Sequence, residues 1–201
     1  MIKAIIFDVG GILDSAHWKA GHYALMCRKL GLDIGVFEKA RKKHIGLARI
    51  GKISTREFFK RMSKELNMGY DKLFNCWAGC KRKIMSKNKD VEKIIKKLHK
   101  NYKIGTLTNV IELHHKIRIE KRFYDIFDFN LCSCVEGYAK PDIRFYRLIF
   151  KKLKNIKPEE MIFVDDWPGA MAPAKKLGMN TIVFKNAKQL RRDLIKLGVK
   201  V

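Results

Sequence analysis

Four short stretches of this 201-residue chain carry side chains suited to moving a phosphoryl group. FDVGG presents Asp8, TLTN presents Thr108 and Asn109, YAKPD presents Lys140, and FVDD presents Asp165 and Asp166. Paired carboxylates suit a hard cation, a hydroxyl donates to a phosphoryl oxygen, and a fixed lysine offsets developing negative charge. Taken singly, each has a bland reading. An Asp at a strand end often caps a helix, and a Lys before a helix is usually solvated. Their order along the chain gives the set its meaning.

The elements that must position these residues alternate. IKAIIFD, YKIGTLTN, IFDFNLCS, MIFVDD and NTIVFK read as buried strands, each followed by a segment of helical period. The helical segments after residue 102 are VIELHHKIRIEKRF, IRFYRLIFKKLK, PGAMAPAKKLG ending at Gly178, and AKQLRRDLIKLG. Such alternation predicts an α/β fold, a doubly wound parallel sheet of Rossmann-like type with helices on both faces. Ligands in such sheets bind beyond the carboxyl ends of the strands, where Asp8, Thr108, Asn109, Asp165 and Asp166 fall. Lys140 precedes a helix that Pro141 enters and Asp142 is expected to cap.

Between the first and second strands the chain reads as helical throughout. HYALMCRKLGL, FEKARKKHIGLARI and TREFFKRMSKEL space their apolar residues by three and four, and Ser54 to Glu57 forms a capping box. VEKIIKKLHK then returns the chain to the sheet layer. The expected division is an α/β core of residues 1–14 and 88–201 with a small helical domain of residues 15–87 inserted after the first strand.

Bulk composition narrows the class. The apolar fraction of 47% allows a packed core, and no run approaches the roughly 18 apolar residues of a membrane span. With no secretory signal pattern, a cytoplasmic protein with no membrane partner is expected. The five cysteines show no disulfide spacing, and Cys76 and Cys80 lack the further ligands of a zinc site, so all read as core thiols. The net charge of +24 attracts polyanions, and non-specific contact with nucleic acid is expected at low salt. The basic residues scatter over several helices without aromatic interleaving, which argues against a dedicated nucleic-acid surface.

In order and spacing the four stretches resemble the motifs of the haloacid dehalogenase (HAD) superfamily of hydrolases, most closely its phosphatase-like branch with a helical cap after the first strand. The resemblance covers essentially the whole chain. It implies that Asp8 is a nucleophile forming an aspartyl-phosphate, and that Mg²⁺ is held by Asp8, the main-chain carbonyl of Gly10 and Asp165, with Asp166 supporting the metal site or orienting Lys140. It also implies that Thr108 and Lys140 act on the phosphoryl oxygens, with Asn109 and the turn at Gly10 and Gly11 lining the phosphate site. The substrate would be a small phosphorylated molecule.

Gly10 departs from the pattern. Family phosphatases carry a second Asp there as acid–base, a function worth roughly 10² to 10⁴ in rate. Asp14 and His17 are candidate replacements. The alternatives are a catalyst restricted to good leaving groups, or a silent protein that binds phosphate or nucleic acid. A 2-haloacid dehalogenase is disfavoured by the FVDD pair and by the absence of an aromatic at position 10. Candidate substrate contacts from the cap and its surroundings are His17, Trp18, His22, Tyr23, Arg49, Lys52, one of His114 and His115, and Trp167.

Overall fold

A computed structural model of the chain describes residues 1–15 and 21–201. Five parallel strands form one sheet: β1 (Ala4–Phe7), β2 (Lys103–Thr108), β3 (Phe129–Cys132), β4 (Met161–Asp165) and β5 (Asn180–Val183), in the order β3-β2-β1-β4-β5. β1 lies at the centre, with Ile5 opposite Ile104 on one side and Ile162 on the other. The strands read as unbroken apolar runs because both faces are covered. Side chains alternate along each strand. Ile5, Phe7, Ile162 and Val164 therefore enter one core, while Ala4, Ile6, Met161 and Phe163 enter the other.

Between β1 and β2 lie α1 (His22–Leu30), α2 (Ile34–Arg49), α3 (Thr55–Glu65), α4 (Tyr70–Ile84) and α5 (Lys89–Leu98). The first four pack on one another around the fully buried Trp77. Tyr23, Phe37, Phe58 and Phe59 surround its indole with centroids 5.1–5.7 Å away, mostly tilted or edge-on. Such pairs add roughly 0.5–1.5 kcal/mol each beyond burial. Helix starts follow the caps. Asp33 accepts from Val36, Ser54 from Glu57 and Asn88 from Val91. The expected capping box at Ser54 is half formed, because the Glu57 carboxylate takes Arg61 instead.

After β2 come α6 (Glu112–Glu120), α7 (Ser133–Glu136), α8 (Ile143–Lys152), α9 (Met171–Lys176) and α10 (Ala187–Lys196). Asp142 caps α8 as expected. Gly178, at φ +86°, ends the α9 segment in the left-handed region that glycine adopts without a Cβ penalty. α6 stops earlier than its apolar pattern suggests, the chain turning through Arg122 at φ +57°. α7, one turn long, carries no periodic signal. The five cysteines are free. No helix among the described residues is long and apolar enough to cross a membrane.

Candidate active site

The carboxyl ends of β1, β2 and β4 meet at a cavity of about 240 Å³ lined by Asp8, Asn109, Lys140, Asp165 and Asp166, with Arg49 and Trp167 closing its sides. The central position of β1 accounts for this convergence. Its two neighbours deliver Asn109 and the Asp165–Asp166 pair to either side of Asp8. Asp8 N donates to Val164 O at 2.8 Å, fixing the register at the strand end.

Lys140 is the electrostatic centre. Its Nζ lies 2.5 Å from Asp165 Oδ2 and 3.2 Å from Asp8 Oδ1, with the lysine almost fully buried. Burial works against the ammonium, but Asp8 and Asp165 outweigh it and hold the Lys140 pKa above its ordinary value. Burial likewise pushes Asp165 up; Lys140 pulls it down, and Asp8 pushes it up again. The lysine is held by its main chain: Asn109 Nδ2 donates to Lys140 O at 2.9 Å and Lys140 N donates to Asn109 Oδ1 at 2.8 Å. Asn109, expected to line the phosphate site, has both ends of its amide engaged and serves as the clasp for Lys140.

Oxygens of Asp8, Asp165 and Asp166 lie within 4.8 Å of one another. Three carboxylates this close, balanced by one lysine, fit a small hard cation by the chemistry of the donors. Asp165 is further oriented by the Trp167 N–H, which donates to its Oδ1 at 2.8 Å. Asp166 packs against Gly11, whose φ of +80° leaves a space that a Cβ would take from that carboxylate.

The loop after β1 departs from expectation. Gly11 N donates to Asp14 O at 3.1 Å and Asp14 N to Val9 O at 2.7 Å, so the Gly11 amide closes the turn instead of joining a phosphate cradle. Gly10 is buried within that turn. Asp14 is not a replacement acid–base: it is fully buried, 3.0 Å from Lys81 Nζ and 3.7 Å from Arg118 Nη2. His17 and Trp18 lie outside the described residues. Thr108 is buried at the end of β2, where its Oγ1 accepts from Arg118 Nη1 at 3.0 Å. An acceptor satisfied in this way leaves the hydroxyl hydrogen to be given elsewhere.

Several candidate substrate contacts are packing residues. Tyr23 lies against Trp77 and beneath the Arg41 guanidinium. His22 is buried among Tyr23, Trp77 and His114. His114 accepts from Trp77 Nε1 at 2.8 Å and His115 contacts Tyr124 Oη at 3.2 Å, so neither lines the cavity. Lys52 is solvated. Arg49 and Trp167 do border the cavity. Arg118 and Lys81 went unseen in the sequence, because a charged residue on an amphipathic helix reads as solvent-facing.

A family profile described as haloacid dehalogenase-like hydrolase matches residues 2–178. The chain belongs to that family. A flavin mononucleotide hydrolase of Arabidopsis thaliana is 32% identical to this HAD-like hydrolase over 101 residues, half of this chain and 41% of the relative; the chain thus spans less than half that relative's length. A D-ribitol-5-phosphate phosphatase of Bacteroides thetaiotaomicron is 26% identical, with 96% of this chain and 97% of the relative covered. A HAD family enzyme from the same bacterium, solved with magnesium and inorganic phosphate, superposes with a TM-score of 0.76 at 20% identity over 92% of this chain and 95% of that one. That likeness establishes the HAD fold for the sheet and its flanking helices.

Proposed function

We propose that this HAD-like hydrolase is a phosphomonoester phosphatase acting through Asp8. The observation that carries the reading is buried Lys140 bridging Asp8 and Asp165 in the strand-end cavity. The bridge fixes the Asp8 carboxylate beside a cation, as a nucleophile requires. An Asp8 oxygen attacks phosphorus as the bond to the leaving oxygen breaks, giving an aspartyl-phosphate; water then attacks phosphorus and releases phosphate. Lys140 neutralises charge on the phosphoryl oxygens, and Thr108 donates its hydroxyl to one of them. Residues 15–87 act as the cap that excludes water.

Asp8, the Gly10 carbonyl, Asp165 and Asp166 would hold Mg²⁺. The magnesium-bound structural neighbour supports this assignment, and the cation would add charge neutralisation at the transferring group. Gly10 supplies no acid for the leaving oxygen and buried Asp14 cannot replace it, so substrates with good leaving groups are favoured. The names of two relatives, a flavin mononucleotide hydrolase and a D-ribitol-5-phosphate phosphatase, support a small phosphorylated substrate. Five free thiols suit a reducing compartment such as the cytoplasm.

The test is phosphate release from p-nitrophenyl phosphate and from an alkyl phosphate, with Mg²⁺ or EDTA. Aryl ester turnover abolished by EDTA and by Asp8→Asn is the expected result, with Gly10→Asp accelerating the alkyl ester. No turnover of either ester, with Gly10→Asp restoring none, would replace this reading with that of a silent phosphate-binding protein.

A further inference from the structure

The site described so far accounts for every charged group around the cavity except Arg49. This residue ends α2, and its position is set by two anchors between the helical insertion and the sheet layer. Gly51, at φ +68°, lies so close to the Cys134 carbonyl that a Cβ would overlap it, so the turn after α2 sits directly on α7. Thr55 donates from both N and Oγ1 to Glu112 Oε2 at 3.1 and 2.8 Å, which ties the start of α3 to α6. Just before these anchors, Arg49 lines the same cavity as Asp8, Lys140 and Trp167.

The neighbouring cation makes a useful contrast. Arg41 is paired with Glu38 at 2.6 Å and stacked over Tyr23. Arg49 forms no such pair with a carboxylate among the described residues. It is half-buried, and burial pushes its pKa below the ordinary arginine value, with Arg41 acting in the same direction and Tyr23 and Asp8 opposing it. A guanidinium removed from water without a counter-ion is costly to maintain unless a ligand supplies the anion. In the phosphatase reading the phosphoryl-binding cation is already Lys140, which lines the same cavity and is paired with Asp8 and Asp165.

We infer that Arg49 binds a second anionic group on the leaving side of the substrate, so that the preferred substrates are compact phosphomonoesters bearing a further carboxylate or phosphate. This deepens the phosphatase reading and rests on it. Arg49 is a specificity residue: its fork of N–H donors suits a planar carboxylate or a phosphate. Trp167, 43% exposed and resting on Gly169, forms the wall along which such a leaving group lies.

The test compares non-hydrolysable ligands of nearly the same shape by calorimetry, with Mg²⁺ and 150 mM salt. Phosphonoacetate carries the second anion, phosphonoacetamide does not, and methylenediphosphonate carries a phosphonate in its place. Wild type should bind the two doubly anionic ligands about ten- to hundredfold more tightly than the amide, the range of a desolvated charge-assisted contact. Whichever of the two binds tighter identifies the second anion as carboxylate or phosphate. In Arg49→Met the ratio to the amide should fall to about one, with Arg49→Lys intermediate and solvated Lys52→Met unchanged.

A wild-type ratio near one overturns the inference, as does a ratio that survives Arg49→Met, which would trace it to the overall positive field. If that happens while p-nitrophenyl phosphate is still hydrolysed, the phosphatase reading stands alone. If wild type binds none of the three ligands, the phosphate site and the Arg49 subsite fall together.

Discussion

Two residues with little outward sign of importance hold the site in shape. Gly11 combines φ +80° with an Asp166 carboxylate where its Cβ would be. Gly11→Ala should lower stability by about 1–2 kcal/mol through left-handed strain. Because Asp166 must also move, Mg²⁺-dependent turnover should fall at least about tenfold, as disturbing a carboxylate of the metal site does. Urea midpoints and kcat measured together would separate the two effects. Arg118, 2% exposed, is bonded to Thr108 and lies near Asp14. Arg118→Met removes one of the cations beside buried Asp14 and should cost about 3–5 kcal/mol, as breaking a buried ionic cluster does. In a double-mutant cycle with Thr108→Val the losses should be less than additive, since both remove the same hydrogen bond.

Residues of these two kinds differ in how far sequence betrays them. Asp8, Asn109, Lys140, Asp165 and Asp166 end apolar runs or precede a capped helix, and a parallel sheet sends all such positions to one edge. Arg118 and Lys81 lie on helices whose period tells which face is apolar, but a buried cation looks the same there as a solvated one. Asn109 was legible as a member of the site, though its work as the Lys140 clasp depends on a loop 31 residues away.

Among the elements, the α3–α6 contact is sensitive to acid. Glu112 accepts from Lys116 at 2.6 Å and from Thr55 twice, and these hydrogen bonds, Lys116 foremost, hold its pKa down from 4.5 to about 2. A carboxyl depressed on folding makes the unfolded chain the better proton binder, so its stabilisation is complete above about pH 4.5 and fades as pH falls toward 2. The side chain is 40% exposed, so screening reduces the contribution to about 1 kcal/mol. Glu112→Gln should therefore be less stable than wild type at pH 7, with the gap narrowing between pH 4.5 and 3; urea midpoints across that range check it. The helices themselves were legible from their caps and period. Their meeting was not, because Thr55 and Glu112 are 57 residues apart and each alone reads as a helix-start residue.

At the scale of the whole molecule, 44 Lys and Arg face 20 Asp and Glu. The exposed positive residues spread over helices on all sides of the sheet, so self-repulsion is a property of the entire surface. Raising NaCl from 10 to 300 mM should screen it and lift the thermal midpoint by about 2–5 °C. A midpoint that falls with salt would mean that the ion pairs outweigh the repulsion.

The placement of β1 carries a further consequence for the order in which the protein is made. The strand that leads into Asp8 leaves the ribosome before either of its partners, which are β2, about a hundred residues later, and β4, which begins at Met161. Until then Ala4–Phe7, which folding buries completely, has at least one open edge. The nascent chain must shelter this strand through most of its synthesis, and translation that stops before residue 161 should yield an insoluble fragment despite a complete set of insertion helices. The strand that leads into Asp8 is thus translated before both of its partners and enclosed only after the second of them.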